Sequence, residues 1–168
     1  ATATKASLYI LARILFSVFE NSENLINNTL LYVILPLSII AMFAGTIMAI
    51  YEKDIKRLLA HSSVAQIGYI TLAFAIGTKA SIAAGFIHMF NHAIIKGGLF
   101  IAITTLGFYI QKRVTINNLS GLGRAMPITF FCFVLCSLSL AGLPLTAGFI
   151  SKLYLIKASI SADGIWIA

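Results

Sequence analysis

The sequence is poor in charge, and in negative charge above all. Only 10% of its 168 residues are charged, and five acids stand against twelve Lys and Arg residues, which gives a net charge of +7. Soluble domains are about a quarter charged and about half apolar, whereas 60% of this chain is hydrophobic and its mean hydropathy is +0.97. No soluble core absorbs this much apolar sequence, so the lipid bilayer is the solvent that fits.

Other absences exclude further classes of protein. Two cysteines, Cys132 and Cys136, make no disulfide framework, and both lie in an apolar run, where cysteine packs as a small hydrophobe. The net positive charge would favour phosphate partners, but the basic residues form no stripe, so we expect no nucleic-acid partner. No signal peptide is visible. The chain opens at Ala1 inside a helix-like pattern, which predicts a fragment of a longer protein.

Long apolar runs are what the sequence has instead. A spanning helix needs about 20 predominantly apolar residues, which predicts an all-α, polytopic transmembrane helical bundle. About six spans are expected, at residues 3–19, 30–50, 58–76, 80–110, 125–143 and 146–161, with a loop at 20–29. Pro36 is expected to kink the second span. The fourth run is too long for one untilted crossing, so it is either strongly tilted or interrupted near Gly97 and Gly98.

The loops between these spans alternate between the two faces of the membrane. The loops on one face, here called the first face, contain six basic residues, which are Lys53, Lys56, Arg57, Lys112, Arg113 and Arg124. The short loops on the opposite face contain only one basic residue, Lys79. Because cytoplasmic loops carry an excess of Lys and Arg, this first face is predicted to be cytoplasmic.

Ionisable side chains inside the apolar spans are the main functional signal. A charged group there costs about 2.5–3.5 kcal/mol on insertion scales and usually has a function. His88, His92 and Lys96 are spaced by four, so on a helix they form one stripe about 12 Å long. Histidine titrates near neutral pH, and desolvation makes a lysine release its proton more readily. The stripe therefore predicts a proton relay; the alternative is that the histidines only form interhelical hydrogen bonds.

Metal and haem sites fit the same spacing less well. His88 and His92 are placed like two ligands of a zinc site, but Met89 stands where the HExxH motif has its glutamate. Two histidines on one helix face cannot be the opposite axial ligands of one haem. We therefore expect neither a metal nor a haem.

A second candidate site is the interrupted stretch from Ala141 to Gly148, which is followed by Lys152. Proline and glycine interrupt helices, and transporters use discontinuous helices where ions bind or pass. A lysine after such a break is expected to face the positive end of the second half-helix, which favours its neutral form. The alternative is a plain loop between two spans, with Lys152 snorkelling to the interface.

A polar cluster begins the third span. His61, Ser62 and Gln66 either admit water to the relay or satisfy the free amide groups at the start of the helix. Lys157, near the end of the last span, is expected to snorkel.

Four stretches of sequence carry a family resemblance over nearly the whole chain. They are Lys5 to Tyr9 running to Arg13; Asp54 to Ser63 continuing to Gln66-Ile67-Gly68-Tyr69; His88-Met89-Phe90-Asn91-His92 with Lys96; and Gly121-Leu122-Gly123 with Met126-Pro127, Gly142-Leu143-Pro144 and Gly148 to Lys152. In order and spacing they resemble the antiporter-like proton channel subunits of respiratory complex I, the related membrane hydrogenases and the Mrp-type cation/proton antiporters.

The resemblance implies a fold of two inverted five-helix repeats, each with a broken helix that bears a key charged residue. By motif position, Lys5 is similar to the first broken-helix lysine and Lys152 to the second. Lys96 and the two histidines are similar to the relay of the second half-channel. The family pairs the first lysine with a glutamate, which is expected upstream of Ala1 because no predicted span contains an acid. The lysine or histidine that the family often has in the helix matching residues 30–50 is absent here.

The resemblance also implies proton translocation within a larger membrane complex. That complex is either an NADH:quinone oxidoreductase-type translocase or an Mrp-type antiporter that exchanges sodium for protons; the stretch from Gly121 to Lys152 is somewhat more similar to the D-type proteins of the Mrp antiporters. The implied partners are other membrane subunits, lipid, protons and sodium, with no redox cofactor on this chain. The implied location is a bacterial or archaeal plasma membrane or an organellar inner membrane. A structural scaffold without its own proton path is the alternative.

Overall fold

The computed structural model describes residues 3–18 and 30–161, and these residues are mainly helical. They contain no β-strand; the one isolated bridge pairs Asp54 with Thr115. The predicted loop at 20–29 lies outside the described residues. In chain order the helices are α1 (Ala3–Arg13, continued by a π-helical turn, Ile14–Val18), α2 (Leu35–Tyr51, preceded by a π-helical turn, Leu30–Ile34), α3 (Ile55–Ile76), α4 (Lys79–Ile110), a 3-10 turn (Ile116–Leu119), α5 (Leu122–Ala125), α6 (Pro127–Ala141) and α7 (Ala147–Ser161).

Three of the helices are long and apolar enough to cross a membrane by themselves. They are Tyr32–Tyr51, Ile55–Ile76 and Lys79–Ile110, and Pro127–Ala141 is a shorter apolar helix. Apolar side chains face outward, with Phe108 79% and Ile128 80% exposed, while Lys96 is 0% exposed. This inside-out distribution belongs to a protein whose solvent is lipid. The predicted all-α membrane fold is confirmed.

Helix α4 is continuous over 32 residues. Of the two alternatives for this run, the structure therefore excludes the interruption near Gly97 and Gly98 and leaves the tilted crossing. Gly98 serves packing instead, because a Cβ there would lie 3.0 Å from the Sγ atom of Cys136 on α6. At about 1.5 Å per residue the helix is about 48 Å long, which exceeds the hydrocarbon core of about 30 Å.

Helices α6 and α7 run in the same direction, antiparallel to α4. Toward the start of α4, its contacts move to later residues of α6 and α7. Gly98 lies beside Cys136 on α6, Asn91 is hydrogen-bonded to Ala147 at the start of α7, and His88 is hydrogen-bonded to Ser151 on α7. The fifth and sixth predicted spans are thus two halves of one discontinuous helix rather than two separate crossings. The break lies level with Asn91, about 18 Å along α4 from its first residue.

Local sequence explains the tight connection between α3 and α4. Helix α3 ends at Gly77, whose φ of 73° suits a residue without a Cβ. Thr78 then caps α4 by accepting a hydrogen bond from the Ser81 amide at 3.1 Å. Pro36 lies within the continuous helical segment formed by Leu30–Ile34 and Leu35–Tyr51, at the point where π-helical geometry changes to α-helical geometry.

Candidate functional site

The predicted stripe on α4 faces the interior of the bundle. His88 is 3%, His92 1% and Lys96 0% exposed. The two imidazole rings lie 6.3 Å apart between centroids, and their planes differ by 11°. Lys96 is about 26 Å from the first residue of α4 and about 21 Å from the last, so it lies near mid-helix.

Lys96 reaches across to α3. Its Nζ atom donates to the backbone oxygen of Leu59 at 2.6 Å and to the hydroxyl oxygen of Ser62. The Ser62 hydroxyl in turn donates to the same Leu59 oxygen at 3.1 Å. Both partners of Lys96 accept hydrogen bonds, so they fix the position of its Nζ atom. Ser62 therefore belongs to the site.

His88 joins α3, α4 and α7. Its Nε2 atom lies 2.8 Å from the Oε1 atom of Gln66, and its Nδ1 atom lies 2.9 Å from the Ser151 hydroxyl. Because the amide oxygen of Gln66 faces Nε2 and an amide oxygen only accepts, we assign the hydrogen of the neutral ring to Nε2, which leaves Nδ1 facing the Ser151 hydroxyl. Ser151 also lies 3.1 Å from the Gly148 oxygen, so its hydroxyl has an acceptor when His88 is protonated and donates to His88 when it is not. Both protonation states are fully hydrogen-bonded.

His92 and Lys5 are different, because their polar atoms have no hydrogen-bond partner among the described residues. This holds for both ring nitrogens of His92 and for the Nζ atom of Lys5, although the two residues are only 1% and 7% exposed. Electrostatic interactions link His92 to Lys5, Lys96, His88 and Lys152. Buried polar atoms need partners, which water or residues outside the described ranges must supply.

A small cavity connects the stripe to the discontinuous helix. It is lined by Gln66, His88, His92, Ser151 and Lys152, among others, and leaves about 10 Å³ for the centre of a water molecule. That is room for about one water with polar partners on several sides. The α4 histidines and Lys152 therefore share one internal polar space.

Lys152 reaches back to the end of the first half-helix. Its Nζ atom donates to the backbone oxygens of Leu140 at 3.0 Å and Ala141 at 3.1 Å. These are carbonyls left unpaired where α6 ends, and the negative end of a helix stabilises a cation. Lys152 thus points into the break, against the alternative that it snorkels to the interface; the expected influence of the positive end of the second half-helix stays a prediction.

The break between α6 and α7 contains two residues with positive φ angles. Gly142 has a φ of 91° and Leu145 a φ of 75°. A Cβ on Gly148 would lie 1.8 Å from the backbone oxygen of Ser139, so only glycine lets α7 start against α6. Asn91 on α4 fixes the start of α7 by donating to the Ala147 oxygen at 3.1 Å.

The structure brings most, but not all, of the predicted residues together. Ser62 and Gln66 contact the stripe, whereas His61 lies nearer the surface, with Nε2 4.0 Å from the Glu52 carboxylate. Lys157 is exposed, in keeping with snorkelling. Sequence reasoning did not assign roles to Ser151 and Asn91, although both stand inside the motifs that carry the resemblance. Backbone acceptors such as Leu59 give no signal in a sequence.

Fold and site define an integral membrane protein with buried ionisable groups beside a discontinuous helix. The chain belongs to the family described as "NADH:quinone oxidoreductase/Mrp antiporter, TM", which matches residues 1–168. The predicted resemblance is confirmed.

The relatives of this chain include both an NADH-quinone oxidoreductase subunit and an Mrp complex. The chain is 38% identical over 167 residues to NADH-quinone oxidoreductase subunit N of Desulforudis audaxviator (strain MP104C), which covers 99% of this chain and 32% of that protein. Among solved structures, the Mrp complex from Dietzia sp. DQ12-45-1b matches with a TM-score of 0.88 and 32% identity, covering 98% of this chain and 30% of that one. The membrane-bound sulfane sulfur reductase, an archaeal respiratory membrane complex, matches with a TM-score of 0.79 and 34% identity, covering 96% and 32%. The chain spans about a third of the length of these relatives. The closer similarity to the D-type Mrp proteins stays a prediction.

Proposed function

We propose that this chain forms part of a proton path across the membrane, with Lys5, His88, His92, Lys96 and Lys152 as proton carriers. The observation that supports it most is the burial of three ionisable side chains, His88, His92 and Lys96, on one face of α4, beside a cavity that Lys152 also lines. Such groups are costly in a static core. They are useful where protons and water pass.

The path runs along α4 and crosses to the broken helix. A proton that reaches the small cavity between α4 and the discontinuous helix is exchanged at the Nδ1 atom of His88, because Gln66 occupies Nε2 and its amide cannot pass the proton on. Gln66 is therefore a positioning residue that fixes the His88 tautomer. Between His88 and His92 the 6.3 Å ring separation requires a bridging water.

Repulsion supplies the coupling between the carriers. Lys5 and Lys96 interact electrostatically, and like charges repel in a medium of low dielectric, so a proton on one of these lysines opposes a proton on the other. Uptake of a proton by one carrier therefore favours release by another. Movement of a charge at one end of the stripe then changes the proton affinity of the carriers at the other end.

We further infer that the chain works within a hetero-oligomeric complex in a bacterial or archaeal plasma membrane. The NADH-quinone oxidoreductase relative favours a redox-driven complex, and the similarity to the Mrp complex favours sodium/proton exchange as the second candidate. A pH-sensitive dye in inverted vesicles separates the two. Acidification driven by a reduced electron donor supports the first, and proton movement driven by added sodium alone supports the second.

The test of the path compares lysines that differ in burial. Lys96→Met and Lys152→Ala are expected to abolish proton movement in vesicles while the complex still assembles. Lys157→Ala, on an exposed position of the same helix as Lys152, is the matched control and should pump normally. If all three variants pump at the parental rate, the chain is a scaffold without its own proton path.

A further inference from the structure

A basic cavity lies away from the proposed proton path, where α3 begins and α4 ends. Its volume is about 410 Å³, and its lining includes Asp54, Lys56, Phe108, Lys112 and Arg113. None of the proposed proton carriers lines it. The proposed proton path gives this cavity no role.

The cavity is built by two loops that are distant in sequence. The amide of Ile55 donates to the Val114 oxygen at 3.1 Å, and the amide of Ile116 donates to the Lys53 oxygen at 3.2 Å. This short antiparallel contact brings the basic residue that opens α3 beside the basic pair that follows α4. The fold thus creates a cluster of cations that the sequence shows only as separate pairs.

The charges in the lining do not cancel. Three cations, Lys56, Lys112 and Arg113, stand against the single carboxylate of Asp54, which leaves a net charge of +2. Asp54 is turned toward its own helix, where it accepts a hydrogen bond from the Lys56 amide at 2.9 Å. Within residues 3–18 and 30–161 the three cations form no ion pair with an acid. The cluster is therefore free to bind an anion.

The position of the cavity along α4 indicates where that anion comes from. Because α4 is about 48 Å long and the hydrocarbon core is about 30 Å thick, its ends reach the headgroup layer. Phe108 and Tyr109, in the last turn of α4, are 79% and 59% exposed. Exposed aromatic side chains next to basic ones are typical of the membrane interface.

We propose that this cavity binds the phosphate of an anionic phospholipid, with Lys56, Lys112 and Arg113 around the headgroup and an acyl chain beside Phe108. The Arg113 guanidinium suits a phosphate because its donors match two phosphate oxygens at once. The two lysines add charge without fixed geometry. The lipid would stabilise the contact between the two loops, since it bridges residues from both.

The experiment uses the purified full-length protein with its co-purifying subunits, reconstituted in phosphatidylcholine vesicles. Spin-labelled phosphatidylglycerol and phosphatidylcholine are compared by the fraction of label that the protein immobilises. Lys112→Gln/Arg113→Gln is expected to lower the preference for phosphatidylglycerol by about fivefold or more. Lys79→Gln/Lys157→Gln, which removes the same charge away from the cavity, should leave it unchanged.

Three outcomes would overturn the proposal. The first is an equal preference in the parent and in the Lys112→Gln/Arg113→Gln variant. The second is loss of the preference in millimolar inorganic phosphate, which would assign the cavity to a free anion. The third is a preference that appears only after other subunits are stripped away, which would mean that a protein segment covers the cavity.

Discussion

Replacing Lys152 with methionine should loosen the break between α6 and α7. Methionine keeps most of the volume of the side chain, but it removes the donor of two hydrogen bonds, to the oxygens of Leu140 and Ala141. Hydrogen bonds from a charged group are worth about 1.5–3 kcal/mol each. Because Lys152 is half-buried and water replaces part of the loss, we take about 2 kcal/mol for the pair.

Hydrogen–deuterium exchange measures this loss directly. The amides of Gly142 and Leu143 bond to the Leu138 oxygen at 3.0 and 3.1 Å, and they exchange only when the end of α6 opens. A loss of about 2 kcal/mol raises their exchange about 30-fold when exchange follows the opening equilibrium. Lys152→Arg keeps the donors and should stay within a few-fold of the parent. Unchanged exchange in the methionine variant would refute the view that Lys152 holds the two half-helices together.

Three further predictions rest on single contacts. Gly148→Ala places a Cβ 1.8 Å from the Ser139 oxygen and should lower the unfolding midpoint through a loss of about 1–3 kcal/mol, whereas Gly97→Ala meets nothing within 4 Å and should not. Gln66→Leu leaves the Nε2–H group of His88 without its acceptor and should cost about 1–3 kcal/mol, with Gln66→Glu largely restoring stability because it supplies an oxygen. Ser151→Ala, which removes the hydroxyl beside Nδ1 of His88, should slow proton movement in vesicles without impairing assembly; parental rates would exclude Ser151 from the path.

Periodicity and composition predict much of the fold. The four-residue spacing of His88, His92 and Lys96 is enough to place them on one face, because helical geometry leaves no other arrangement. Composition alone does not tell a glycine that breaks a helix from one that lets a neighbour approach, so the sequence left both a tilt and an interruption near Gly98 open. The run of apolar residues in α6 and α7 likewise does not show that the chain continues in one direction through the break.

The orientation of Lys152 is predictable in principle. Side chains on a helix point toward its N-terminus, so a lysine in the second turn of α7 points back at the break and at the end of α6. The dipole of the second half-helix alone does not predict the contacts of the Lys152 ammonium, because it leaves out the unpaired carbonyls of the first half-helix. Those carbonyls accept hydrogen bonds from the ammonium, and these bonds decide where it lies.

His92 is the strongest argument that the interior of this bundle is more than a packed core. A leucine in its place would bury apolar surface at no electrostatic cost, whereas an imidazole that is 1% exposed has to be supplied with hydrogen-bond partners. Lys5, which is 7% exposed, has the same requirement and interacts with His92 electrostatically. Lys96 and His88, by contrast, are hydrogen-bonded to their neighbours. His92 therefore lies between two hydrogen-bonded ionisable groups on one face of α4, which is the arrangement that the proposed proton path requires.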